Sequence, residues 1–251
     1  MVVAALLSAV LSPAFAQSPL PACKIPGDKR CAVDEGSLVV QAEGPGALSE
    51  DITPPPASGV GSSINLDVIL NTALKIWDII VKNKPVVDVK TQYATALPQG
   101  VTSWGQLANW QTPEGTVYGF YAKNGFGQQV INVRYLVTRM YGGSYKGKGK
   151  YLTAVAIEPL TTDVAWGYKF SLAADTPPES IGNFGSDEDP VAGMQLRVKW
   201  TIETAVKTSM GTSVYFVKGD GMMQEDGSPF PHGLTTQAAK LLESAPALRL
   251  P

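Results

Sequence analysis

An all-β fold, specifically an immunoglobulin-like antiparallel two-sheet β-sandwich preceded by one amphipathic α-helix, is what this sequence predicts. Three observations lead there. Residues 129–217 alternate apolar and polar side chains, turn-forming clusters separate about seven such runs, and no helical periods intervene. Met194, Leu196, Val198, Trp200 and Ile202 fall on one parity, with Gln195, Arg197, Lys199, Thr201 and Glu203 on the other. Trp166, Tyr168, Phe170 and Leu172 repeat the pattern. Successive side chains of a strand face opposite sides of the sheet, so these runs predict one buried and one wet face.

From the N-terminus, residues 1–16 read as a secretory signal peptide. A short apolar run is broken by Pro13, and Ala14-Phe15-Ala16 offers a small-x-small cleavage pattern before Gln17. The run is too short to span a bilayer, which takes about 20 apolar residues. The expected location is secreted or periplasmic. Cys23 and Cys31 follow, and in an exported chain they are expected to close a small loop as a disulfide. Leu20-Pro21-Ala22-Cys23 weakly resembles the bacterial lipobox, which makes lipid anchoring at Cys23 a minor option.

Residues 17–63 read as an acidic linker rich in Pro, Gly and Ser, in which only Leu38-Val39-Val40 suggests a strand. Residues 64–84 predict the amphipathic helix. Asp67, Asn71, Lys75, Asp78 and Lys82 recur every three or four positions, and nearly everything between them is apolar. Residues 85–218 form the predicted sandwich domain, including a long hairpin whose strands 129–141 and 150–158 are closed by a glycine-rich loop at 142–149. Residues 219–251 read as a loop and a short C-terminal helix.

Hydrophobic content of 44% and charged content of 17% describe a chain that can bury a sizeable core. A net charge of −2 predicts no general attraction to nucleic acid. Gly142 through Lys148 approximate a phosphate-binding loop. Gly149 stands where that loop needs Ser or Thr, and a strand follows where it needs a helix. What remains is a hairpin tip with Lys146, Lys148 and Lys150 spaced by glycines and flanked by Tyr145 and Tyr151, able to meet phosphates or an acidic glycan. Trp104 and Trp110 begin the densest aromatic stretch and are the candidate sugar-stacking surface. Arg134, Lys169, Arg197, Lys199 and Lys207 share the wet parity of their strands, and neighbouring strands of this kind would make one face cationic.

Asp187-Glu188-Asp189 and the set Asp220, Glu225 and Asp226 are loop acids without the oxygen count that calcium requires. His232 is the single histidine, and no nucleophile elbow accompanies it. No catalytic, metal or cofactor site is therefore expected. The expected function is a non-enzymatic binding or adhesion module that recognises a glycan, an envelope component or a protein through its loops. A membrane-active protein using residues 65–82 against a membrane surface, and a structural subunit, are the alternatives. Oligomeric state is left open. The exported protein is expected to begin at Gln17 and to carry a Cys23–Cys31 disulfide. Intact-mass spectrometry before and after reduction checks both, and two free thiols or a diacylglyceryl Cys23 would refute the claim.

Overall fold

The computed structural model describes residues 28–46, 63–70, 77–81, 93–101 and 104–227. Among them the fold is all-β and its sheets are antiparallel and curled. Twelve strands follow in chain order: β1 (Val33–Pro45), β2 (Asn65–Leu70), β3 (Trp77–Val81), β4 (Ala94–Gln99), β5 (Glu114–Asn124), β6 (Gln129–Tyr145), β7 (Lys148–Val164), β8 (Lys169–Asp175), β9 (Gly182–Asn183), β10 (Ala192–Glu203), β11 (Thr208–Lys218) and β12 (Met223–Gly227). One sheet has the order β1-β5-β6-β7-β4-β2, and the other β12-β11-β10-β8-β3 with β9 also paired to β10. In an immunoglobulin domain the first, second, fifth and fourth strands share a sheet, so this order is different.

Residues of the two sheets meet in one apolar core. Phe120 of β5 lies 5.1 Å from both Phe170 of β8 and Trp200 of β10, measured between ring centroids. Tyr118 of β5 and Tyr215 of β11 are 4.7 Å apart, and the hydroxyls of Tyr135 and Tyr215 share a 2.7 Å hydrogen bond. The parity of β10 is as expected: Met194, Leu196, Val198, Trp200 and Ile202 are all buried.

Four expectations are corrected. The predicted helix is not formed in its described parts: Asn65–Leu70 pairs with β4 and Trp77–Val81 pairs with β8. An apolar run without a clean period does not separate a helix from a buried strand. Here Val68, Ile69, Ile79, Ile80 and Val81 are β-branched and favour extended backbone. The stretch read as linker contributes β1, thirteen residues long, at a sheet edge. An edge strand pairs on one side only, so β1 can carry Asp34, Glu35 and Glu43 while Val33, Leu38 and Val40 are buried.

The third correction concerns the hairpin. Its strands run through the predicted loop and turn on two residues, Lys146 at φ 51° and Gly147 at φ 79°. Two consecutive positive φ values define the turn type whose twist suits a hairpin, and a glycine second residue favours it. Finally, Trp166 is 55% exposed although Tyr168, Phe170 and Leu172 are buried. The amide of Tyr168 donates to the Ala165 carbonyl at 3.1 Å, and Gly167 has φ 88°, so a turn interrupts the alternation at Trp166.

The signal peptide, Cys23, residues 85–92, His232 and the C-terminal helix lie outside the described residues. Cys31 is buried, and its expected bridge to Cys23 falls outside them too.

Replacing Trp200 by Ala is expected to cost about 3–5 kcal/mol by opening a cavity. Trp166→Ala should stay within about 0.5 kcal/mol. Urea denaturation of the two variants checks the assignment of faces. The tyrosines predict alkaline behaviour. Burial, with the Glu225 charge, pushes the Tyr118 phenol up to about 12. Burial also raises Tyr215 and Tyr135, and in Tyr215 the neighbouring Tyr135 adds to the effect. Unfolded tyrosines ionise near pH 10, at about their free value, so the unfolded chain loses these protons first. The contribution is complete below about pH 10 and is lost as pH rises from there toward the raised folded values. Phenolate absorbance should therefore appear cooperatively with unfolding, and Tyr215→Phe should flatten the alkaline decline.

Candidate functional site

The outer face of the second sheet carries an open groove of about 490 Å³. Its floor is a row across three strands. Gln195 of β10 stands opposite Phe216 of β11, and Phe216 stands opposite Gln224 of β12. Tyr215 and Val217 take the inward parity of β11, which leaves Val214 and Phe216 facing out. Arg197 and Asp226 complete one end of the floor.

The walls come from the connection between β8 and β10. A short 3-10 turn, Pro178–Ser180, supplies Glu179 and Ser180, and the Ser180 hydroxyl accepts from the Gln195 amide at 3.1 Å. Phe184 stands at the other side, its ring edge-on to Phe216 with centroids 4.9 Å apart. The backbone holds Phe184 firmly: its amide donates to the Val191 carbonyl at 2.7 Å, and Asn183 Oδ1 accepts from the amides of Gly185 and Val191. Gly193 makes room beneath it, since a β-carbon there would fall 2.6 Å from Phe184 Cδ2.

Charge in the groove is mixed. Arg197 Nη2 lies 3.2 Å from Asp175 and 3.9 Å from Glu179. Gln224 Nε2 donates to Asp226 Oδ1 at 3.3 Å. The guanidinium is thus balanced by carboxylates, and the aromatic pair is flanked by planar hydrogen-bonding groups.

The residues expected from sequence lie elsewhere, and the structure gathers only some of them. The segment bearing Trp104 and Trp110 runs beside the end of β6: Ala108 and Ser144 exchange two 2.8 Å backbone bonds. This places Trp104, Trp110, Tyr145 and Lys146 at the hairpin end of the molecule. Trp110 is half-buried, donates from Nε1 to the Trp104 carbonyl at 3.1 Å, and lies so close to Gly143 that a β-carbon there would sit 2.4 Å from its ring. Trp104 is half-buried as well. Lys146 Nζ sits 5.2 Å above its own neighbour, the Tyr145 ring. Lys148 and Lys150 are exposed, whereas Tyr151 is fully buried with its hydroxyl on the Leu66 carbonyl, so it packs the core instead of flanking a surface tip.

Nor is the glycine backbone at the tip open to an anion along its whole length. The Gly149 amide donates to Asp189 Oδ1 at 2.9 Å, and the Lys150 amide donates to the Pro190 carbonyl at 2.8 Å. A carboxylate of the chain occupies the place that the spacing offered to phosphate. The wet-face cations are neutralised in the same way. Arg134 pairs with Glu43, Lys169 with Glu203, Lys199 with Asp175 and Lys207 with Glu35. Among the described residues no group of three His, Cys, Asp or Glu side chains could hold a metal ion.

Sequence reasoning missed Phe184, Phe216, Gln195, Gln224 and Asp226 as partners in one site. Val214 and Phe216 were the available signal, because two apolar residues on the wet parity of β11 mark an outer face that something covers. Against known proteins, the chain matches no family model, no curated protein and no solved structure.

Proposed function

We propose that this chain is an exported, non-enzymatic binding module whose outer-face groove holds a neutral glycan. The Phe184–Phe216 pair, set among Gln195, Gln224, Asp226 and Arg197, carries this reading. Sugar rings stack their C–H faces on aromatic rings, and planar amide, carboxylate and guanidinium groups hydrogen-bond the hydroxyls around the ring. The groove has the size of a small-ligand site, and its apolar side chains, Pro177, Phe184 and Phe216, stand among six polar ones. The one guanidinium of the groove already has Asp175 and Glu179 beside it, and Asp226 adds another carboxylate to the lining, which disfavours sulfated or uronic glycans. Export rests on residues 1–16. The two facing layers support a β-sandwich as the scaffold, with binding placed on its outer face and the walls supplied by a loop.

A glycan array followed by titration calorimetry tests the reading. The expected result is a neutral oligosaccharide bound by the wild-type chain. Phe216→Ala is expected to weaken binding by roughly 2 kcal/mol, the size of an interface hot spot, with little change in stability because the ring is only half-buried. Gly193→Ala should weaken binding too, since Phe184 is half-exposed and its ring can move aside without unfolding the sheet. Unchanged affinity in both variants would refute the groove as the site. A hydrolase would release reducing ends from the bound sugar, with Asp226→Asn stopping the release, and no release is expected.

A further inference from the structure

We propose that the end of the fold opposite the hairpin tip inserts into a zwitterionic lipid interface, through apolar residues on three separate turns. These are Phe126 between β5 and β6, Trp166 between β7 and β8, and Val206 between β10 and β11, all exposed. The three turns share one end. The Ala165 amide donates to the Val130 carbonyl at 2.9 Å, which sets the Trp166 turn beside the start of β6. Lys169 and Glu203 form an ion pair across the bases of the Trp166 and Val206 turns, as direct register partners. Met210, 73% exposed two residues into β11, lies just behind them.

Shape and charge favour lipid over a protein partner. Each exposed residue stands on its own turn, and glycines flank two of them: Gly125 and Gly127 beside Phe126, Gly167 beside Trp166. Separated protruding rings suit a fluid surface that closes around each one. Trp and Phe are the residues that settle at the headgroup boundary. The rim is a ring of ion pairs: Arg30 with Asp28 at 2.6 Å, Lys207 with Glu35 at 2.7 Å, and Lys169 with Glu203. Lys29 and Lys123 share this end with Asp34 and Asp163, so cations and anions there are equal in number. Such a balanced rim complements zwitterionic headgroups and gives no long-range attraction to an acidic surface.

Flotation of the chain from Gln17 onward, the expected exported form, with phosphatidylcholine vesicles tests this, and its outcome is independent of the glycan groove at the outer face. The wild-type chain is expected to float. The double variant Phe126→Ser, Trp166→Ser is expected to lower the bound fraction about tenfold or more, given what burying each ring contributes. Its melting temperature should be unchanged, because both residues are exposed. Met222→Ser, an exposed apolar change near the hairpin end, should float as the wild type does. Three results would overturn the proposal: no flotation of the wild-type chain, equal flotation of the double variant, or a wild-type dimer in solution that the double variant dissolves. The last would mean that a second copy covers these tips.

Discussion

Everything in this molecule depends on the contact between two curved sheets through a line of aromatic rings. Phe120 touches Phe170 and Trp200, and Tyr118, Tyr135 and Tyr215 continue the line. Each large ring buries much area at once, and the tilted packing leaves few alternative registers. The tyrosines bring hydroxyls into an apolar place, where an unpaired polar group costs about 1–3 kcal/mol. Tyr135 and Tyr215 answer this by bonding to each other across the sheets. Strand register is then constrained, since a slip of one residue would turn every ring out to water.

Once the inner parity is set, the outer one follows, and the groove lies on it. The long connection between β8 and β10 adds what the strands cannot. Ser180 fastens it to β10, Asn183 folds it back, and Asp189 ties it to Gly149 beside the tip of the hairpin. One loop therefore both shapes the wall that carries Phe184 and braces the β6–β7 hairpin. Among the loop acids Asp187, Glu188 and Asp189, the last serves as a backbone clasp.

Period-two alternation made β5, β6, β7, β10 and β11 readable, because their faces differ sharply in polarity. It failed where that contrast fades. Residues 64–84 are apolar on nearly every side, so a narrow polar stripe suggested a helix where β2 and β3 lie. β1 failed for the opposite reason: an edge strand with acidic positions and a terminal Pro-Gly resembles a linker in composition. Trp166 was misplaced because alternation was carried across Gly167, where the chain turns. The groove was hidden for a geometric reason. Phe184, Gln195, Phe216 and Gln224 are separated along the chain and become a row only through strand pairing. The lysine tip, in contrast, was conspicuous in sequence and is internally satisfied in part.

The two-residue turn at Lys146-Gly147 has a consequence for the order in which the chain acquires its shape. It joins two seventeen-residue strands whose partners are close in sequence near the tip. A hairpin of this kind closes in about 1–10 μs, with little loop entropy to overcome at its first contacts. β5 adjoins the same hairpin through another short turn, so three neighbouring strands can zip in succession. β1 must instead find β5 across some ninety residues, Val33 meeting Asn124, and distant pairings of this sort are slow. The first sheet thus grows outward from a local meander, and the acidic edge strand is the late arrival that closes it.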